Sequence, residues 1–283
     1  MSNLDEVDNF TNDSAMMIAF ERSLESKRPD SLFRDPLASA LAGTKGAKLS
    51  ENFEAMCAVF EFPEWPEFHK QWTAVRTRFI DDRIEEHAPS FTQLVNLGAG
   101  MDTRPHRMTA YRLFTNGSYE VDMEVVQKGK VKIFSDLVSV PTAHCEVKNI
   151  DLDFLDADKS LATELGGCGF DASAPSLFIS EGLIMYLGAA GKVKLLADLS
   201  AAAACGSVLV LQYMDASKSK NNGEEARANA LSEEEARKEL GERGWGDFKF
   251  YAYGDEALNF GRFPNEKFGP SAAFSFCVCK KTS

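Results

Sequence analysis

Caps, stops and apolar runs divide the chain into two unlike parts. The first ninety residues read as helices: Asp13-Ser14 precede a segment from Ala15 to Ser26, Pro29 interrupts it, and Asp35-Pro36 open a second helix at Leu37. Pro66 opens a longer helix to about His87, and Pro89 ends it. From Phe91 short apolar runs take over. Gln93–Leu97 is a strand, Gly98-Ala99-Gly100 a turn, and Asp102-Thr103 a cap pair before a short helix, so the segment is a β–turn–α unit. Further strands are predicted to end at Tyr119-Glu120-Val121-Asp122, to span Cys145–Ile150 before Asp151, Ser176–Ser180 before Glu181, and Ser207–Met214. Strands alternating with helices imply a mainly parallel sheet covered on both faces. The last two runs, Phe248–Tyr253 and Ala272–Cys279, are joined by an irregular segment rather than a helix and predict an antiparallel pair.

Composition narrows the class. The 283 residues carry 31 basic against 43 acidic side chains, a net charge of −12, which disfavours gripping nucleic acid by charge. With 44% hydrophobic and 26% charged residues the chain folds, and the absence of repeats predicts one domain. Within it, residues 1–90 are expected to form a helical cap and 91–283 the sheet core, with a substrate-covering insertion around 215–246. The longest uncharged stretch, Leu199 to Met214, is broken by polar residues and falls short of the roughly 20 apolar residues of a spanning helix. Acidic residues precede the first basic one, Arg22, unlike a secretory leader, so a soluble, cytoplasmic protein without membrane partners is expected. The six cysteines form no CxxC pair and the histidines are scattered, so no metal is expected; Cys277 and Cys279, two apart on a strand, should share one face.

Ligands of open α/β sheets bind beyond the carboxyl ends of the strands. There Gly98 and Gly100 let the backbone approach a ligand, and Asp122 follows Gly100 by 22 residues, close to the ~20-residue spacing at which an acid binds ribose hydroxyls. The third glycine of a dinucleotide fingerprint is absent, since Thr103 stands there. Asp151, Asp153 and Glu181 end the following strands and make the mouth acidic. Such a mouth repels a pyrophosphate but suits a ligand with a ribose, an adenine and a positive sulfonium, which is S-adenosylmethionine. Asp102, Asp151 and Asp153 also have a plainer reading as helix N-caps.

Val95-Asn96-Leu97-Gly98-Ala99-Gly100-Met101-Asp102-Thr103-Arg104, Glu120-Val121-Asp122, Asp151-Leu152 and Ser180-Glu181-Gly182-Leu183-Ile184-Met185-Tyr186-Leu187 together resemble the leucine carboxyl methyltransferase family. The run Ala19–Asp30 with Leu32–Ala38 resembles its bacterial-type small-molecule branch. The resemblance implies a single Rossmann-like class I methyltransferase domain, with a mainly parallel seven-stranded sheet, a reversed last strand and a helical cap. It also implies an S-adenosylmethionine-dependent enzyme. Carried over to these positions, Gly98 lies against the methionine part, with Gly100 in the same turn, Asp122 holds the ribose, Asp151 and Leu152 frame the adenine, and Glu181 lies near the ammonium. Arg76 matches the arginine that pairs with the ligand's carboxylate, and Arg78 is the competing choice.

The acceptor is less legible. A small molecule methylated on a carboxylate or hydroxyl oxygen is the leading expectation, with sulfur or nitrogen acceptors, an NAD-dependent oxidoreductase and a non-catalytic binding protein as alternatives. Seven residues turn about 700° on a helix, so His69 shares a face with Arg76 and is a candidate base. Tyr186 and Arg22 are candidates for positioning the acceptor, and Phe60–Pro66 for a lid over it. The oligomeric state is not legible.

Overall fold

A computed structural model of the chain describes residues 3–59, 64–215, 230–262 and 273–283, with side chains from residue 13 onward. Seven strands form one sheet in the order β3-β2-β1-β4-β5-β7-β6. They are β1 (Gln93–Leu97), β2 (Gly117–Asp122), β3 (Val147–Asp151), β4 (Leu177–Ser180), β5 (Val208–Met214), β6 (Trp245–Ala252) and β7 (Phe274–Lys281). β1 to β5 are mutually parallel, whereas β7 runs antiparallel to both β5 and β6. The two tail strands do pair antiparallel, and the last strand, β7, is the reversed one, because β6 regains the direction of β5.

Strand alternation sorts the core into two layers. Leu94, Leu177, Ile179, Val208 and Val210 pack on one face, while Val95, Leu97, Phe178, Leu209 and Leu211 pack on the other. On the first face lies α3 (Trp65–His87), which buries Phe68, Trp72, Val75 and Phe79 at helical spacing. On the second lies α7 (Gly188–Ala202) with Leu195, Leu196 and Leu199. Each such fully buried side chain contributes roughly 1.5–3 kcal/mol. Cys277 and Cys279 do share a face of β7, directed into the second layer, and the cysteine thiols are all free. Among the described residues no cluster suited to a metal occurs, and no helix is long and apolar enough to cross a membrane.

Two further helices cover the top of the sheet. α1 (Asn3–Ser26) packs against α2 (Ala38–Val59), which is bent at Gly43, and Ala19, Leu41 and Ala42 form a small core there with Met101. α1 begins well before Ala15, since Asp13 does not cap it: its side chain pairs with Lys45 instead. Four shorter helices complete the described chain: α4 (Arg104–Arg107), α5 (Glu124–Asp136), α6 (Leu161–Gly167) and α8 (Glu233–Gly241). α8 falls within the expected insertion and opens with a capping box, in which Ser232 Oγ accepts from the Glu235 N–H at 3.1 Å and the Glu235 carboxylate accepts from the Ser232 N–H at 2.8 Å. Residues 216–229 of that insertion and residues 60–63 of the expected lid lie outside the described residues.

Candidate active site

A cavity of about 1370 Å³ opens at the carboxyl ends of β1, β2 and β4, between the sheet and the helices α1, α2 and α3. Its floor is the turn after β1. The Gly98 and Ala99 N–H groups both donate to the Val121 carbonyl, at 2.8 and 3.2 Å, and Gly100 N–H donates to Asp122 Oδ2 at 2.6 Å. Gly98 has φ +68°, and a Cβ there would stand 3.1 Å from Leu183 Cβ, so the turn needs glycine for both conformation and space. Asp122 Oδ1 accepts from the Met123 N–H at 2.7 Å. Burial raises the Asp122 carboxyl above its ordinary range, and these two backbone donors oppose the rise. Both oxygens retain a lone pair for a further donor.

Beside the floor lies a buried ionic frame. Arg104 Nη1 donates to Asp102 at 2.7 Å and to Glu181 at 2.9 Å, and its Nε donates to Asp81 at 2.7 Å. Arg107 grips Asp81 in bidentate fashion at 2.7 and 2.8 Å. Arg22 Nε donates to Asp35 at 3.0 Å, and Thr103 Oγ1 donates to the same oxygen at 2.7 Å. Arg76 Nε stands 2.9 Å from Glu181 Oε1 in an ion pair that falls short of hydrogen-bond alignment. Burial would raise the carboxyls of Asp35, Asp102 and Glu181, but the guanidiniums, led by Arg22 at Asp35 and by Arg104 at Asp102 and Glu181, hold all three below their ordinary range. Six carboxylates and four guanidiniums line the cavity, so its wall is acidic.

Of the residues expected at the site, Arg22, His69, Arg76, Gly98, Gly100, Asp122, Glu181 and Tyr186 line this one cavity. Asp151 and Leu152 do not. Asp151 ends the edge strand β3, is exposed, and borders a separate groove with Lys128 and Lys132. Leu152 is fully buried and its N–H donates to the Asp122 carbonyl at 3.0 Å. Asp153, Phe154, Leu155 and Asp156, just beyond, are the residues of that segment that line the cavity. Arg78 points elsewhere, to Asp82 at 2.7 Å and the Leu32 carbonyl at 3.0 Å, which leaves Arg76 as the arginine of α3 at the cavity. Arg22 is held by Asp35 and the Met101 carbonyl. Asp102 does cap the Arg104 N–H, at 2.7 Å, and also joins the ionic frame. Sequence reasoning passed over Asp81, Arg104 and Arg107, although Arg104 stands in a quoted motif, because the pairs that join Asp81 to Arg104 and Arg107, and Arg104 to Glu181, are distant in the chain. It also passed over Glu21, Met214 and Phe274, of which the last two line the cavity, as does Trp65 of the expected lid.

The seven-stranded order with a single reversed strand and a site beyond the carboxyl ends define a class I methyltransferase fold. The leucine carboxyl methyltransferase family profile matches residues 15–200, and the chain belongs to that family. It is 33% identical over 208 residues to a candidate S-adenosyl-L-methionine-dependent methyltransferase of Mycolicibacterium paratuberculosis, a match covering 71% of this chain and 64% of that protein. It is 34% identical over 204 residues to another from Streptomyces coelicolor, covering 69% and 66% respectively. The chain thus spans just under two thirds of the length of these relatives. Among solved structures, a DUF574 family protein from Streptomyces avermitilis aligns with a TM-score of 0.59 and 15% identity over 95% of this chain and 97% of that one.

Proposed function

We propose that this chain is an S-adenosylmethionine-dependent methyltransferase acting on oxygen of a small-molecule acceptor held in the cavity. The observation that carries the reading is the Gly98–Gly100 turn clamped to Asp122 in an acidic wall. The residues fit the ligand: Asp122 keeps lone pairs for two ribose hydroxyls, and the glycine turn leaves the backbone open to close approach. Arg76, buried and imperfectly aligned on Glu181, is set to take a ligand carboxylate, while Glu181 takes the ammonium. Asp153 and Phe154, rather than Asp151, are assigned to the adenine end because they line the cavity.

When bound, S-adenosylmethionine supplies a methyl group already activated by its sulfonium. The chain's own contribution is alignment and exclusion of water, since an in-line displacement gains most from holding acceptor and methyl in register. The buried ionic frame fixes the floor, and α1 and α2 cover it. Tyr186, half-exposed at the rim, is placed to position the acceptor. Acidic residues lining the wall favour a cationic ligand over the pyrophosphate of NAD. Transfer of labelled methyl from S-adenosylmethionine to a panel of hydroxy, carboxy, thiol and amine compounds tests the reading; product on oxygen is expected, and product confined to sulfur or nitrogen would overturn the choice of atom.

A further inference from the structure

We infer that Glu21, Thr73 and His69 form a proton-accepting unit that selects a weakly acidic hydroxyl on an apolar body, in preference to a carboxylate. The inference rests on the methyltransferase reading above. His69 Nδ1 lies 2.7 Å from Glu21 Oε1, and Thr73 Oγ1 donates to Glu21 Oε2 at 2.5 Å. Glu21 is 2% exposed, and its side-chain partners among the described residues are these two. A carboxylate only accepts, so Nδ1 carries the proton, and in the neutral imidazole Nε2 then keeps its lone pair as the base. His69 lines the cavity, and the Phe53 ring packs 5.3 Å from it. His69, Thr73 and Arg76 fall on one stripe of α3, which sets His69 ~10 Å along the helix axis from the Arg76–Glu181 pair. An acceptor oxygen lying between them has the ligand's methyl on one side and the imidazole on the other.

The wall around His69 states what kind of acceptor fits. Phe53, Met56, Trp65, Met214 and Phe274 make it aromatic and apolar. The guanidiniums of the cavity, those of Arg22, Arg76, Arg104 and Arg107, are each already paired with a carboxylate. Of these Arg76 is assigned to the ligand's own carboxylate, so the wall offers an anionic acceptor no cation of its own among the described residues. A phenol or alcohol needs what a carboxylate does not, namely a base. As the acceptor oxygen forms its bond to the methyl carbon, the carbon–sulfur bond breaks and its electron pair returns to sulfur. The hydroxyl proton passes to His69 Nε2, and Glu21 stabilises the imidazolium. Glu21 is thus a positioning residue.

The test compares wild type, His69→Ala and Glu21→Gln, each first shown to bind S-adenosylhomocysteine; absence of binding by wild type counts against the methyltransferase reading and not against this one. The probes are 4-methylphenol, benzyl alcohol, 4-nitrophenol and 4-methylbenzoate. His69→Ala is expected to lower kcat for 4-methylphenol about 100-fold, and for the readily ionised 4-nitrophenol by under about threefold. Glu21→Gln is expected to lower kcat for 4-methylphenol about tenfold with KM unchanged. Nitrogen-15 spectra of the ligand-free protein, with His69 assigned by its loss in His69→Ala, are expected to show the Nδ1-protonated tautomer, and this readout stands even if Glu21→Gln fails to fold. Equal losses across the probes, methylation of 4-methylbenzoate alone, no methylation of any hydroxyl probe by protein that binds S-adenosylhomocysteine, or an Nε2-protonated His69 would each overturn the inference.

Discussion

Asp122 Oδ2 accepts the Gly100 N–H at 2.6 Å, so the acid at the end of β2 holds the shape of the turn that ends β1. One side chain thereby sets the floor of the cavity and offers its remaining lone pairs to a ligand. Asp122→Ala should weaken S-adenosylhomocysteine binding by ~1.5–3 kcal/mol, the range for hydrogen bonds to a charged group. Asp122→Asn, which keeps an acceptor oxygen, should lose less. Equal affinity of all three proteins would remove Asp122 from the site.

The same carboxyl gives binding a pH dependence. Burial raises its proton affinity, so as pH falls Asp122 is protonated earlier than an ordinary aspartate, and ligand hydroxyls lose a charged acceptor. Affinity should decline on the acid side, beginning above the ordinary aspartate range, and Asp122→Asn should flatten the profile.

Global stability should also fall on the acid side, but in a lower window. Asp35, Asp102 and Glu181 have folded-state values held below their ordinary ones. Their contribution is therefore complete above the unfolded values of about 4 and is lost as pH falls through the lower folded values. The thermal midpoint should fall steeply below about pH 4. Asp122 and Glu120, raised by burial, act in the opposite sense and soften the slope.

Asp81 pairs with both Arg104 and Arg107, so Asp81→Ala strands the buried Arg107 guanidinium and takes one of three carboxylates from Arg104. A loss of about 3–5 kcal/mol in urea denaturation is expected for breaking a buried pair on one side. A change below about 1 kcal/mol would show the frame to be solvated.

Gly98→Ala should be poorly tolerated, since a left-handed backbone costs roughly 1–2 kcal/mol for a residue with a Cβ. Its Cβ would also press on Leu183 at 3.1 Å. Displacement of the turn should weaken ligand binding more than it lowers the thermal midpoint.

Much of this fold is written locally. β1 reads as Gln93–Leu97 from its apolar run, and α3 ends at His87 because Pro89 follows. The parallel order follows from alternating strands and helices, and the shared face of Cys277 and Cys279 from strand period alone. The insertion of β7 between β5 and β6 was not legible, because it is a nonlocal pairing. In the site, Gly98, Gly100 and Asp122 announce themselves by spacing. The Glu21–His69 contact does not, since its partners are 48 residues apart on different helices. Asp151 illustrates the converse: its motif is clear, yet the side chain at the end of an edge strand faces away from the cavity.

Calorimetric titration of the protein with S-adenosylmethionine, S-adenosylhomocysteine and NAD, with Asp122→Ala as control, tests the central claim most directly. Micromolar binding of the first two, weakened in the variant and absent for NAD, is the predicted result. Binding of NAD alone would contradict the claim, because the acidic wall around the glycine turn would then be accepting the charge it is argued to repel.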